Sequence, residues 1–106
     1  MNPRLLHIDS PLSLAIAIIG NASTHHLSGA VSPYSSHQQQ LRLTNPESGD
    51  TAELHIARAA QAASRFHVSI IQVTTLAMHR QVTRILRAFV RETQAPMHII
   101  LASQAA

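Results

Sequence analysis

Apolar residues between Asp50 and Arg91 recur at the spacing of an α-helix, and arginines recur on the opposite side. At about 100° of rotation per residue, one flank of this helix would be apolar and the other basic. The predicted charged contacts are Arg80, Arg84, Arg87 and Arg91. The predicted assembly interface is Phe66, Ile70, Ile71, Val73, Leu76, Met78, Val82, Ile85, Leu86 and Phe89. We expect these apolar flanks to be covered by sister or partner molecules.

Residues that commonly cap or end helices occur at both ends of the predicted helix. Asp50 can cap the first turn, and Glu53, three residues later, completes a capping-box arrangement. No glycine or proline interrupts residues 51–93, and Ala95-Pro96 ends the pattern. β-Branched residues crowd 67–75 and favour a hairpin break there. The predicted fold is mainly α, with a long C-terminal helix or helical hairpin in an assembly region at 45–92.

The segments before and after the predicted helical region show no comparable periodicity of apolar residues. Residues 1–44 are expected to be mostly disordered, because they offer little apolar area apart from a short segment at 12–19. We expect that segment to be a short buried or partner-bound helix, or a strand, and it is too short for a bilayer, which needs about 20 apolar residues. Residues 93–106 form a short apolar tail. We expect no transmembrane span and no cleaved signal peptide.

Composition argues against a large core of the chain's own. The chain has 106 residues, of which Tyr34, Phe66 and Phe89 are aromatic, and alanine supplies much of its apolar fraction. Every basic residue other than histidine is an arginine. Residues 51–92 hold six arginines against two glutamates, a local net charge of +4. The basic character therefore belongs to one predicted helix. Cysteine is absent, which excludes disulfides and thiolate metal sites.

The histidines and acids form no recognisable catalytic pattern. His55, His67 and His79 recur every 12 residues, and on one helix they would point in three directions. The sequence also lacks a phosphate-binding glycine loop and a nucleophile motif. We expect no enzyme activity, no cofactor, no metal and no small-molecule substrate. A conceivable loop site would comprise His25, His26 and His37.

Several short segments occur in an order known from one protein family. Asn45-Pro46-Glu47-Ser48 gives a turn before the predicted helices, and Ser64-Arg65-Phe66 is similar to the opening of a final helix. Next come Val73-Thr74-Thr75-Leu76 and then Arg80, Val82, Ile85 and Leu86. Over residues 45–91 the chain resembles the C-terminal region of type III secretion inner rod proteins, and more distantly the needle subunits.

The resemblance implies a structural subunit that self-associates through its C-terminal helix and contacts other subunits of the secretion apparatus. Such a subunit is exported through the machine and forms the inner rod of the needle complex in the bacterial cell envelope. The alternative is a small helical binding module, such as a secretion chaperone or a regulatory partner protein. A basic amphipathic helix acting on membranes or nucleic acid, and an orphan reading frame without a stable fold, stay open as further interpretations.

The arginine side itself has three interpretations. It is the solvated side of a helix, a set of contacts to acidic groups of a neighbouring subunit, or a phosphate-binding surface. Nucleic acid is the less favoured partner, because neither helix-turn-helix spacing nor a stacking aromatic accompanies the arginines.

Overall fold

The computed structural model describes residues 8–32 and 37–100, except for the side chain of Ala63, and shows an α/β fold. Helix α1 spans Pro11–Ser23, and helix α2 spans Leu76–Thr93. The described strands are β1 (Ser28–Ser32), β2 (Gln38–Thr44), β3 (Thr51–Ala59), β4 (Ala62–Val73) and β5 (Met97–Ile100). Together they form one five-stranded sheet.

The strands lie across the sheet in the order in which they occur along the chain. β1 to β4 are antiparallel neighbours, and β5 runs parallel to β4 after the connection through α2. Both helices pack on one side of the sheet, α1 against β1, β2 and β3, and α2 against β3 and β4. No described helix packs on the opposite side, which we call the open face. Its residues include Gln40, Arg42, Glu53, His55, His67, Ser69 and His98.

One apolar core lies between the helices and the sheet. Its large buried side chains come from α1, α2 and strands β2 to β5, and Leu27 adds one from the turn after α1. β1 approaches α1 closely at Gly29, where an added Cβ would lie 2.7 Å from Cγ1 of Ile19. The buried residues are Leu14, Ala15, Ile18, Ala22, Leu27, Leu41, Leu43, Ala52, Leu54, Ile56, Phe66, Val68, Ile70, Met78, Val82, Ile85, Leu86, Phe89 and Met97.

The prediction of a mainly α fold is wrong, because residues 51–73 form the β3–β4 hairpin and not the first half of a long helix. In β3 the buried residues Ala52, Leu54 and Ile56 occur at every second position. Phe66, Val68 and Ile70 alternate in the same way in β4. This two-residue period is that of a half-buried strand, and the β-branched residues in it favour extended backbone.

A bulge near the end of β4 obscures the strand period in the sequence. Glu53 pairs with Gln72, whereas the next residue, Leu54, pairs with Ile70. Ile71 is therefore the extra residue on β4, and 44% of its surface is exposed. Because of the bulge, the consecutive apolar residues Ile70 and Ile71 interrupt the alternation of buried and exposed positions. In the sequence, this interruption looks like the apolar flank of a helix.

The two acids predicted to cap a helix have other roles. An Asp50 carboxylate oxygen accepts a hydrogen bond of 3.1 Å from Thr74 Oγ1, which ties the start of β3 to the end of β4. Glu53 Oε2 lies 2.7 Å from Arg42 Nη2, across the β2–β3 pair. The sequence spacing fits a capping box, but both side chains stabilise neighbouring strands.

The expected disorder of the N-terminal half is also wrong for the part that the structure describes. Ser10 caps α1 in a capping box with Ser13, and Pro11 occupies the first turn, where its missing N–H is not needed. Leu14 and Ile18 of α1 are fully buried. The apolar segment at 12–19 thus forms most of a short helix, one of the two forms expected for it.

The sheet crosses the boundaries predicted at residues 44 and 92. β1 and β2 lie before residue 44, and β5 lies in the predicted tail, yet all pair with neighbours in the same sheet. Asn45-Pro46 forms the expected turn, in which Asn45 Oδ1 accepts hydrogen bonds from the N–H groups of Glu47 and Ser48. Within the described residues, neither helix has the length and hydrophobicity needed to span a bilayer.

Candidate functional site

Helix α2 covers the second half of the long helix predicted from the sequence, and both of its ends are capped. At the N-terminus, Thr75 has extended backbone and its Oγ1 accepts a hydrogen bond of 3.1 Å from Met78 N–H. At the C-terminus, Gln94 adopts the left-handed conformation and its N–H donates to Val90 O at 2.7 Å. The helix is thereby fixed over Leu76–Thr93, and Pro96 follows shortly after.

One side of α2 packs on the sheet, and the other side carries the arginines. We call Arg80, Arg84, Arg87 and Arg91 the arginine stripe. All four side chains are exposed, and their spacing of four, three and four residues places them along one line of the helix surface. At about 1.5 Å per residue, the stripe is roughly 16 Å long. Against the part of the chain that the structure describes, none of the four forms a hydrogen bond or an ion pair.

An open groove of about 400 Å³ follows the stripe. His79 and Thr83 line it together with the four arginines. Thr83 Oγ1 is buried and has no hydrogen-bond partner among the described residues. Buried hydroxyl groups normally have partners. The groove therefore combines exposed guanidinium donors with a buried hydroxyl that lacks a partner among the described residues.

A second depression, of about 510 Å³, adjoins the stripe between α2 and the turn after α1. It shares Arg84 and Arg91 with the groove, and it is also lined by His25 and His26. His26 has a φ of 67°, in the left-handed region, and this turns the chain sharply between α1 and β1. This depression thus brings two histidines from the N-terminal half, and Glu92 of α2, beside Arg84 and Arg91.

The predicted assembly interface is mostly inside the molecule. Val73 is half-buried, Ile71 is exposed, and Leu76 is exposed over 64% of its surface. Leu76 precedes Arg80 by one helical turn and lies on the same line as the stripe. The remaining predicted residues are buried in the core of this chain, namely Phe66, Ile70, Met78, Val82, Ile85, Leu86 and Phe89.

The histidines have a different arrangement from that expected on one helix. His55 and His67 lie on the open face in adjacent strands, and His79 lies on α2. His98, which the sequence pattern did not single out, is the register partner of His67 across the β4–β5 pair. In residues 8–32 and 37–100, no group of three or more His, Asp or Glu side chains could hold a metal ion, and this includes His25, His26 and His37.

Two arginines outside the stripe, Arg42 and Arg58, have partners within the fold. Arg42 on the open face donates from Nε to Glu53 Oε2 at 2.7 Å. Arg58 donates to the carbonyl oxygen of Asp9 and lies over the ring of Phe66, with 5.3 Å between Cζ and the ring centroid. These arginines stabilise the fold, whereas the guanidinium groups of the stripe are available to ligands.

The chemistry available at the stripe is recognition of oxyanions. A guanidinium group stays protonated and presents a planar fork of donors that matches a carboxylate or a phosphate. Such groups bind and orient anions, but they do not exchange protons. The groove is therefore suited to binding an extended anionic partner. No protein-family model matches this chain, and no curated protein is significantly similar to it.

Proposed function

We propose that this protein is a small binding module that recognises an acidic segment of a partner protein through helix α2. The observation that carries the proposal is the arginine stripe, whose four exposed side chains form no hydrogen bond or ion pair with the described residues. Carboxylate side chains on a helix or extended strand of the partner would pair with these guanidinium groups in bidentate fashion.

The stripe is unfavourable for the isolated protein. Arg80 and Arg84, Arg84 and Arg87, and Arg87 and Arg91 are like-charged neighbours at three or four residues on one helix face. Each such pair destabilises a helix by about 0.2–0.5 kcal/mol, so together they cost roughly 1 kcal/mol. An acidic partner removes this repulsion on binding. Relief of the repulsion between the arginines therefore contributes to the free energy of association.

A protein segment fits this surface better than nucleic acid does. Leu76, at the start of the stripe, is an exposed apolar side chain that a partner's apolar residue can cover. Phe66 and Phe89 are buried and cannot stack on bases. Apolar contacts flanking guanidinium groups are typical of protein interfaces, which are enriched in arginine.

The inner-rod role implied by the sequence resemblance stays a prediction. Its premise was that the apolar side of the helix is covered by sister molecules. In this fold Val82, Ile85 and Phe89 are covered by the chain's own sheet. The binding-module interpretation needs only the outer side of α2, which leaves the core intact, and we prefer it for that reason.

The test uses a synthetic peptide of about 15 residues that forms an amphipathic helix and carries glutamates spaced four, three and four residues apart. Its affinity is measured by fluorescence anisotropy for the native protein and for the Arg84→Glu/Arg87→Glu variant. The variant replaces two attractive charge pairs by two repulsive ones, which should weaken binding by about tenfold. Arg65→Glu is the matched control, because Arg65 is exposed but lies on β4 away from the stripe.

Two further probes separate the alternatives. A peptide with glutamine in place of each glutamate should bind weakly, because it lacks the carboxylates. A 20-base-pair duplex and anionic lipid vesicles should bind less tightly than the acidic peptide at the same salt concentration. Tighter binding of the duplex, with a steep loss as salt increases, would identify a phosphate-binding surface and overturn the proposal. Equal affinities for the native protein and the double variant would show that the stripe is only solvated.

A further inference from the structure

Two histidines on the open face are arranged as a pair across neighbouring strands. His67 in β4 and His98 in β5 are register partners in the parallel part of the sheet. Their ring centroids lie 5.4 Å apart, with 43° between the ring planes. Both side chains alternate with buried residues, Phe66 and Val68 around His67, and Met97 around His98. The rings are therefore held on the side of the sheet that α1 and α2 leave uncovered.

The separation of the rings matches the geometry of one shared metal ion. A metal ion binds an imidazole nitrogen at about 2.0–2.1 Å, so the ring centroid lies roughly 3 Å from the ion. Two rings at the tetrahedral angle then have centroids about 5 Å apart. The observed 5.4 Å needs only a small rotation of the side chains. Adjacent strands lie about 4.8 Å apart, so the sheet itself holds the two rings near this separation before any ion binds.

The surroundings leave space for an ion and provide no further protein ligand. Ala57, the register partner of His67 on β3, has a small side chain. His55 on the same face is engaged elsewhere, with Nε2 2.6 Å from Gln38 Oε1. The described residues contain no set of three or more metal-ligating side chains around the pair. An ion held by His67 and His98 would keep its other coordination positions for water or for an external ligand.

We propose that His67 and His98 form a two-histidine binding site for a divalent transition-metal ion. Imidazole ligands favour Cu²⁺, Ni²⁺ and Zn²⁺, with Cu²⁺ bound most tightly. The site links the edge strand β5 to β4, so a bound ion stabilises the end of the sheet that follows α2. The free positions on the ion would accept a histidine or carboxylate from another molecule.

The first experiment needs no substitution. Cu²⁺ is added in substoichiometric amounts to the isotopically labelled native protein, and amide signals are followed by NMR. Paramagnetic broadening should reach residues 67–69 and 98–100 before it reaches the other histidines. Broadening that begins around His25 and His26, with β4 and β5 unaffected, would overturn the proposal.

The second experiment measures Ni²⁺ and Cu²⁺ binding by isothermal titration calorimetry. His67→Gln and His98→Gln should each weaken the site by at least about tenfold, because a single imidazole remains. His55→Gln is the matched control on the same face, and His25→Gln/His26→Gln removes the adjacent pair after α1. Both controls should retain the affinity of the native protein. Circular dichroism of the metal-free variants verifies that they fold, and unchanged affinity in folded His67→Gln and His98→Gln would overturn the proposal.

Discussion

The open face of the sheet and the outer side of α2 both display arginine, but in different electrostatic settings. On the open face, Arg42 lies 2.7 Å from Glu53, so its charge is neutralised within the molecule. On α2, the arginine stripe has neighbours of its own charge and no acidic partner among the described residues. An arginine that stabilises its own fold is paired, whereas an unpaired row at the surface is available for an external anion.

The largest expected effect concerns the anchoring of the stripe. Phe89 is 1% exposed and lies on the inner side of α2. Phe89→Ala should lower the free energy of unfolding by about 3–5 kcal/mol, because it removes a large buried side chain and leaves a cavity. Urea denaturation followed by circular dichroism measures this change. Leu76→Ala, at the exposed end of the same helix, is the control and should change it by less than about 0.5 kcal/mol.

A small effect of Phe89→Ala on stability, combined with loss of self-association, would favour the rod interpretation. In that case the inner side of α2 would contact sister molecules and not the sheet. Helix α2 would then have no fixed outer side to contrast with the open face.

The next effect tests whether α1 covers its part of the sheet. An added methyl group at Gly29 would meet Ile19 Cγ1 at 2.7 Å and Leu43 Cδ2 at 3.1 Å. Gly29→Ala should therefore lower the free energy of unfolding by about 1–3 kcal/mol through overpacking. Gly20→Ala is the control, because an added Cβ there meets no atom within 4 Å, and alanine within α1 should raise stability by up to about 1 kcal/mol. A thermal melt of both variants checks the difference. Equal melting temperatures would mean that β1 and α1 are not in close contact.

A smaller effect has the opposite sign. Arg84→Glu replaces two repulsive neighbour contacts, with Arg80 and Arg87, by attractive ones. The free energy of unfolding should rise by roughly 0.8–2 kcal/mol, and by less at high salt. The same substitution should weaken binding of the acidic peptide. Chemical denaturation at 0.05 M and 0.5 M salt measures the first change. A lower stability in Arg84→Glu would mean that Arg84 has a stabilising role within the fold.

The smallest effect belongs to the open face. Glu53→Gln leaves Arg42 without its carboxylate partner, and 60% of the Arg42 side chain is exposed. Exposed ion pairs contribute about 0–1 kcal/mol, so stability should fall by no more than that. Thus removing an acid from the open face should lower the free energy of unfolding, while adding one to the stripe should raise it. Chemical denaturation of Glu53→Gln and Arg84→Glu in one buffer measures these two opposite changes in the free energy of unfolding.

The helical state of residues 76–93 was predicted, as part of a longer helix, because the pattern that favours it is local. Residues 76–93 keep a helical period throughout, arginine recurs on one side, and Pro96 limits the C-terminal end. The identity of the arginine stripe follows from that period alone. The predicted site residues on this side of α2 are therefore exposed and aligned, as expected of a contact surface. What the stripe binds stays a prediction.

The hairpin β3–β4 was missed because its alternation is interrupted. Alanine occupies several positions from 57 to 63 and favours helix locally, and the bulge at Ile71 breaks the two-residue period. Pairing with β2 decides the outcome, and the periodicity within residues 51–73 does not show that pairing. Cross-strand pairing often overrides intrinsic helical preference.

The N-terminal strands and the His67–His98 pair could not be predicted from local sequence patterns, for a related reason. β2 offers two buried leucines, Leu41 and Leu43, which are recognisable as a strand only beside Leu54 and Ala52 of β3. His67 and His98 are 31 positions apart in the sequence, and they meet only because α2 returns the chain to β4. Contacts of this kind depend on topology, which the periodicity of a single segment does not contain.

Helix α2 is held at both ends by strands of one sheet, with the twelve-residue β4 before it and the four-residue β5 after it. A partner that pulls on the helix transmits unequal loads to these two junctions, because the shorter edge strand has fewer backbone hydrogen bonds to resist. Detachment under tension would therefore begin at Met97–Ile100, and hydrogen exchange of its amides would report engagement of the helix from a distance.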